Sequence, residues 1–457
     1  MFATFAFIAL TLVCFFVVDD LFIDLVALFK RLGPKLLSDE DVSKLKIKEE
    51  KQIAIIIANW HEANVIGRMI AGNIRGVDYK NYHFFLGVYP NDMETLIAVQ
   101  NLEAAFPKKV HMVINEKDGP TSKGQMLNEV VRGVLEFEKY LKYKFDVFLM
   151  HDSEDIMHPL SLKVINSEIE NAEFLQTPVF SFDRPIKEWV GSTYIEEFAE
   201  IHTKDLFVRQ ALGAPVPSAG TGTALDRKLM IQLMNSNGGN FLREDSLTED
   251  YVLGMSAALL GFKTAFVCFY RKIGKRRDFI ATREYFPNSF RSAIRQKTRW
   301  ILGIVFQGQK IVPWVGNWSH KYFLYRDRRG PWNNTVAMAT TALTIYLFTY
   351  YFFSGNTPAF MSESWFHLGS FIATVGMFSR LFHRLKAVII VIGWKKPLLS
   401  IVRWPLGNII NFLASFQALR EFYQAQRRKE VLKWSKTTHE LPEGFGDDHS
   451  NDHPDLN

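Results

Sequence analysis

The 457-residue chain predicts an α/β fold built on a Rossmann-like, mostly parallel sheet and carried between apolar segments able to cross a bilayer. Three observations predict it. From residue 53 to residue 151, β-branched and aromatic runs alternate with stretches of helical periodicity, the pattern of strand-helix-strand crossovers. Each run ends in polar residues, so the polar clusters fall at the carboxyl ends of strands, where open α/β sheets gather ligands. Long uncharged stretches lie on both sides of this region.

The elements follow in order. Residues 2–18 (FATFAFIALTLVCFFVV) carry no charge and reach the lower limit for a membrane span. A cleaved signal peptide is the competing reading; no basic residue precedes the run, and DDLFIDLVALFK follows it where a small-residue cleavage site should stand. Residues 1–30 therefore read as an N-terminal transmembrane segment, and 31–50, with DEDVSKLKIKEEKQ, as a charged juxtamembrane connector. IAIII at 53–57 reads as a buried parallel strand and EANVIGRMIAGNI as a helix. YHFFLGVYP, KVHMVIN and FDVFLM are further strands, separated by the helical NDMETLIAVQNLEAAFP and GQMLNEVVRGVLEFEKYLKY. Beyond residue 177 come a Gly-rich loop (PSAGTGTALDR), an acidic loop entering a helix (LREDSLTEDYVLGMSAALLGF), a strand (TAFVCFY) and a helix around RQKTRW. This places the α/β domain at 51–330.

Residues 335–354 are long enough to span a bilayer, and 364–379 form a shorter third candidate, giving two transmembrane helices within 331–384. Lys and Arg are absent before Lys30 and from GNTPAFMSE, but follow the first and third spans. The positive-inside rule then puts the N-terminus outside, with residues 31–330 and the C-terminus inside. Residues 385–457 read as a cytosolic or interfacial segment ending in the polar, disordered tail EGFGDDHSNDHPDLN. With 48% hydrophobic residues the chain buries a large core and is not a disordered protein. Cys14 and Cys268 alone allow neither a disulfide framework nor a CxxC knuckle. The net charge of +6 is too mild to select nucleic acid, and the basic stretch YRKIGKRRDF is explained more simply as a membrane-proximal or phosphate-contacting loop.

Four clusters carry chemistry. HDSED ends a strand in Asp152, Glu154 and Asp155; such acids repel unless a cation such as Mg²⁺ or Mn²⁺ sits among them, although a solvated turn is the bland alternative. GPTSKGQMLN places Lys123 just before a helix start, where phosphate is attracted, but it lacks the P-loop lysine position and an ordinary turn competes. TED supplies Thr248, Glu249 and Asp250 before an apolar helix, which is also a helix-cap signature. RQKTRW sets Gln296, Arg299 and Trp300 within one helical turn, either as a membrane anchor or as a ligand platform.

Taken in order, ANWHE, YPND, GPTSKG, HDSED, SAGTG, TED and RQKTRW followed by apolar spans resemble the membrane-anchored, cellulose-synthase-like members of glycosyltransferase family 2, which have a GT-A fold. The likeness is closest to the glycosyltransferase part of the bacteriophage-adsorption protein B family. It covers roughly residues 50 to 330 and extends into WPLGNIINFLASFQALREF and LKWSKTTHELP. The resemblance implies an inverting hexosyl- or N-acetylhexosaminyl-transferase that uses a nucleotide sugar, UDP-linked, with a glycan or lipid acceptor. It also implies a multi-pass bacterial inner-membrane location with the catalytic domain cytosolic, and an outer export partner as a further expectation.

By position, the family pattern puts Glu62, Asp92, Lys123, Asn128 and Asp152 at the nucleotide pocket. It puts Asp152, Glu154 and Asp155 at the metal, Glu249 and Asp250 at the catalytic step with Asp250 as general base, and Gln296, Arg299 and Trp300 at the diphosphate and acceptor. The pattern departs at Ala58, at YPND and in the D-x-E form of the acid cluster. A non-catalytic membrane receptor or assembly scaffold that keeps the fold is the rival reading, and a lipid-linked nucleotidyltransferase is a second.

Overall fold

A computed structural model describes residues 2–394, 396–428, 441, 442 and 445. The expectation for the polar tail falls on residues outside that range, Phe445 apart. The central sheet has seven strands: β1 Ile53–Ala58, β2 Tyr82–Val88, β3 Val110–Ile114, β4 Val147–His151, β5 Phe174–Gln176, β6 Thr223–Asp226 and β7 Thr264–Phe266. Their order is β7-β5-β6-β4-β1-β2-β3. β1 pairs in parallel with β2 and β4, β2 with β3, and β5 with β7. Only β6 runs antiparallel to its two neighbours.

The apolar runs are continuous because both faces of the sheet are covered. Side chains alternate along a strand. Ile53, Ile55, Ile57, Phe84, Leu86 and Leu149 enter one core, while Ala54, Ile56, Phe85, Phe148 and Met150 enter the other. The helices expected between strands are α2 Ala63–Gly76, α3 Met93–Ala105 and α4 Lys123–Phe137. α3 and α4 open on real caps: Asp92 accepts from the Thr95 amide and Ser122 from the Gln125 amide.

The flanking helices are longer than the uncharged segments suggest. α1, Phe2–Phe29, continues through Asp19, Asp20 and Asp24. α5 is Trp189–Glu200, α6 Glu249–Leu259, α7 Phe290–Ile301, α8 Trp318–Arg328, α9 Gly330–Ser354, α10 Ser364–Ile392 and α11 Pro397–Arg428. Among the described residues α1 and α9 are the two helices long and apolar enough to cross a membrane. The expected third span is the first half of α10, whose second half carries Arg380, His383, Arg384 and Lys386; as a whole α10 does not reach that apolarity.

α10 lies against α1 through small residues. A Cβ at Gly369 would meet the Leu10 side chain at 2.5 Å, and one at Gly376 would strike Val17. Where the uncharged part of α1 ends, Arg326 pairs with Asp19 at 2.9 Å and Asp20 at 3.2 Å, and Arg329 pairs with both acids. This fastens α1 to the stretch leading into α9. α11 packs on α5, α7 and α9, with Arg403 donating to Glu196 at 2.8 Å.

Candidate active site

A cleft opens at the carboxyl ends of β1 and β4, and Glu62, Lys123, Asp152, Glu154, Glu249, Asp250, Gln296, Arg299 and Trp300 all line it. The four clusters, spread from Lys123 to Trp300 along the sequence, therefore meet in one place. β1 delivers Asn59 and Trp60, and β4 delivers Asp152. Because β6 runs antiparallel, the Gly-rich loop that enters it, with Ala219 and Gly220, arrives at the same end.

Lys123, in the first turn of α4, donates to the Asp152 carboxylate and, at 3.4 Å, to the Gly220 carbonyl. Burial alone would pull the ammonium down, but Asp152, Glu249 and Asp250 outweigh it and hold Lys123 above its ordinary value. Gly220 has φ +83°, and a Cβ there would stand 2.7 Å from an Asp250 carboxylate oxygen. Only glycine lets this loop approach the acid so closely.

The TED segment starts α6. Thr248 occupies the cap position, yet its side chain makes no cap bond and its hydroxyl is buried without a hydrogen-bond partner. TED therefore starts the helix where the cap signature puts it, but Thr248 does not cap it through its side chain. Thr248 packs instead onto Gly303, where any Cβ would collide with it. The preceding loop is clamped by Gln307, which accepts from the Leu247 amide at 2.8 Å and donates to the Asp245 carbonyl at 2.6 Å. Asp250 accepts from the Tyr251 amide at 2.7 Å.

Burial and the neighbouring Asp250 push the Glu249 carboxyl up to about 7, against the pull of Lys123. Burial likewise raises Asp250, opposed by Lys123 and Arg299. An unfolded glutamic acid loses its proton near 4.5, whereas the folded Glu249 keeps it to about 7. Folding stability should therefore fall as pH climbs through that window. Glu249→Gln should unfold at a higher temperature than the parent at about pH 8, with the advantage shrinking toward about pH 5; thermal melts at the two pH values test this.

α7 supplies Gln296, Arg299 and Trp300 on one side. Next to them on the same helix, Lys297 pairs with Glu197 of α5 and donates to Asn411 of α11 at 2.7 Å, and Asn411 donates to Glu197 at 3.1 Å. The Trp300 ring lies 6.2 Å from both Tyr194 and Phe198, so it is walled by aromatics rather than free at a surface. Among the described residues the buried Gln296 side-chain carbonyl oxygen has no hydrogen-bond partner.

Three predicted residues are placed elsewhere. Asp155 does not line the cleft: one carboxylate oxygen accepts from the Asp152 amide at 2.6 Å, bonds His151 at 2.8 Å and takes the Thr221 hydroxyl. It shapes the strand-end turn. Asp92 also stands behind the cleft, accepting from the His61 amide at 2.6 Å and facing the His61 ring at 3.3 Å. His61 has φ +55°, a conformation a non-glycine residue keeps only when its surroundings hold it. Asp92 thus sets the Trp60–Glu62 turn. Asn128 exchanges hydrogen bonds at 3.0 Å with both backbone groups of Leu242 and reaches Glu244 at 3.3 Å, fixing the loop ahead of TED.

Three cleft residues escaped the sequence reading. Trp60 and Tyr89 stand edge to face, with ring centroids 5.2 Å apart, at one wall. Glu284 comes from the short strand Thr282–Glu284, which pairs with Ile156–Met157 and Val179–Ser181. That small sheet carries Glu284 to the acid cluster. Burial, then Asp155, Glu154 and Asp152, push its carboxyl far above the usual range. Among the described residues no three His, Cys, Asp or Glu side chains form a ready-made metal cage. The donor set still suits a hard divalent ion, because Mg²⁺ and Mn²⁺ sites of phosphate chemistry use one or two carboxylates plus the substrate's phosphates. Asp152 and Glu154 line the cleft, and the mutual repulsion registered by Glu284 marks a place short of positive charge.

Residues 51–303 match the family described as Glycosyltransferase like family 2. The chain is 36% identical to bacteriophage adsorption protein B of Escherichia coli (strain K12) over 94% of its own length and 61% of the relative's. The same figures hold for bacteriophage N4 adsorption protein B of Escherichia coli O157:H7. The chain thus spans 61% of the length of these curated relatives. Among solved structures, a mannosyltransferase from Pyrobaculum calidifontis in complex with GDP-Man and Mn²⁺ superposes with a TM-score of 0.56 at 13% identity, covering 92% of this chain and 99% of that one. It shares the GT-A fold. With a mostly parallel sheet, a cleft at its carboxyl edge and a family match over more than half its length, the chain belongs to the glycosyltransferase-like family 2.

Proposed function

We propose that the protein moves a sugar from a UDP-linked donor to a glycan or lipid acceptor at the bacterial inner membrane, with inversion at the anomeric carbon. The observation that carries this reading is the meeting of Lys123, Asp152, Asp250 and Arg299 in one cleft. A non-catalytic scaffold has no need for a buried base facing paired cations.

Trp60 and Tyr89 offer aromatic faces to the nucleobase, with Glu62 beside them and Asp92 and Asn128 holding the loops from behind. Asp152 and Glu154 are the residues that would hold a divalent cation. Bound there, Mg²⁺ or Mn²⁺ supplies Lewis-acid charge to the departing diphosphate. Lys123 and Arg299 stabilise the same charge through fixed donors in a water-poor site. Asp250 takes the proton of the attacking hydroxyl, and its raised pKa makes it a stronger base. Glu249, whose carboxyl the neighbouring Asp250 and burial hold high, lines the cleft beside it. Trp300 gives the acceptor sugar an apolar face, and Gln296 leaves a carbonyl oxygen for one of its hydroxyls.

Residues 51–330 form the catalytic unit in this reading, facing the cytosol where nucleotide sugars are made. α1 and α9 cross the bilayer, and α10 joins them. α11 lies at the interface, with Leu398, Val402, Ile409, Phe416 and Tyr423 exposed along its length. An outer export partner would receive a glycan product. The test is a screen of detergent-solubilised full-length protein with a panel of labelled nucleotide sugars. Transfer or hydrolysis of one donor is expected. Label retained as nucleotide in the product would point to a nucleotidyltransferase, and binding without turnover of any donor would point to the scaffold.

A further inference from the structure

α7 does not stop at the cleft. It runs on through Leu302–Gln307 and Gly308–Ile311, then breaks into a loop before α8 begins at Trp318. From Ile311 to Ser319 the sequence is IVPWVGNWS, an uncharged stretch between Lys310 and His320. The loop is rooted at Val312, which is buried with Tyr251 and Met255 of α6 and Leu324 of α8. The residues after it turn outward: Trp314, Val315 and Trp318 are 48, 43 and 62% exposed. Large apolar side chains grouped in this way mark a contact surface. Trp314 lines a groove together with Leu12, Phe15 and Phe16 of α1 and Trp332 and Val336 of α9, the two helices able to cross a membrane. Trp318 lies against Tyr322, and Tyr322 meets Phe22 of α1 edge to face, with ring centroids 6.2 and 5.6 Å apart. The loop thus lies beside α1 between Phe15 and Phe22.

The backbone of the loop suits a water-poor place. Arg328 donates to the carbonyls of Gly308 at 3.2 Å and Val312 at 2.7 Å. Pro313 has no N–H to satisfy, and the Val315 N–H turns onto the Pro313 carbonyl at 2.9 Å. Non-helical backbone at lipid depth needs such internal partners. Gly316, with φ +94°, makes the turn, and a Cβ there would strike the His320 ring. Asn317 then caps α8 by accepting from the His320 amide at 3.0 Å. We propose that residues 312–318 form a membrane-dipping loop, with Trp314, Val315 and Trp318 seated where headgroups meet acyl chains in the leaflet facing the α/β domain. Tryptophan favours this depth. Lys321, exposed one turn into α8, adds a cation for anionic headgroups. Because the loop ends the helix that carries Gln296, Arg299 and Trp300, that helix is moored to the bilayer at its far end.

The inference rests on α1 and α9 crossing the bilayer, so the closing experiment probes a spanning helix beside the loop. Full-length protein carrying Cys14→Ala, with the buried Cys268 left in place, receives one environment-sensitive fluorophore at Val315→Cys, Trp318→Cys, Ile345→Cys of α9 or Tyr140→Cys of the α/β domain. Ile345 and Tyr140 are exposed in the protein. Each labelled protein is reconstituted in vesicles of phosphatidylcholine and phosphatidylglycerol. Lipid with a nitroxide near the headgroup should cut emission at Val315 and Trp318 by roughly half, since interfacial segments lie about 5–10 Å into the boundary, and should leave Tyr140 unchanged. Nitroxide at the acyl-chain end should quench Ile345 more than either loop position. Two loop positions guard against one label disturbing the fold. Loop probes that behave like Tyr140 while Ile345 is quenched overturn the loop and leave the spans intact. An unquenched Ile345 overturns the spans, and the loop with them. Loop probes shielded from water yet untouched by the lipid nitroxides place a second copy or another protein there, and overturn the proposal.

Discussion

Asp250→Asn should lower sugar transfer by about a hundredfold to ten-thousandfold, the range a positioned general base contributes, while donor affinity stays near that of the parent. Asparagine keeps the size of the side chain and an oxygen for the Tyr251 amide, so α6 should start as before. What it loses is the proton acceptor and one of the charges that hold Lys123 above its ordinary value. Single-turnover transfer measured beside donor titration separates the two effects. Turnover near the parental rate would remove Asp250 from the base role. A parallel collapse of donor affinity would make it a binding residue instead.

Replacing Asp152 and Glu154 together by alanine should abolish the metal dependence of donor binding. Outer-sphere partners of a metal already cost about ten- to a hundredfold when removed, so losing both proposed ligands should exceed that. Lys123 loses its ion-pair partner in the same variant and keeps only the Gly220 carbonyl. Residual, metal-independent affinity for the nucleotide should therefore survive, carried by Lys123, Arg299 and the Trp60–Tyr89 wall. Calorimetric titration of nucleotide with Mn²⁺ and with chelator reads both components. Affinity that responds to Mn²⁺ as strongly in the variant as in the parent would take the cation away from these acids. The asymmetry with Asp155 sharpens the test: Asp155→Ala should act through the fold of the turn, because one of its carboxylate oxygens holds His151, Thr221 and the Asp152 amide.

The parts of this molecule that were legible in the sequence are those in which one local rule dominates. Ile53–Ala58 and Val147–His151 lie inside the sheet, paired in parallel with each other and covered on both faces, so they read as unbroken apolar runs. Strand-end acids and the RQKTRW helix were legible because their order along the chain was informative even where each alone was ambiguous. The antiparallel sense of β6 was not legible, since pairing direction leaves no mark in a four-residue strand. Glu284 was missed for a related reason: its role comes from a three-stranded sheet whose other two strands lie more than a hundred residues before it. Asp92, Asn128 and Asp155 were assigned to the right neighbourhood, but their hydrogen bonds to the backbone around the cleft were not legible. A carboxylate facing a ligand and one facing the backbone behind it look the same in one dimension, and burial with its hydrogen-bond partners tells them apart.

The seating of α7 has an angular consequence. Gln296, Arg299 and Trp300 look into the cleft while Lys297, between Gln296 and Arg299 in sequence, is held beside them by Glu197 and Asn411. Each residue of a helix turns it by about 100°, so this lysine acts like the pin of an indexing wheel. It never meets a substrate, yet it sets which side chains do. Since Asn411 belongs to α11, a helix outside the central sheet holds the pin, and the aim of this face is set from outside the sheet that carries the acids.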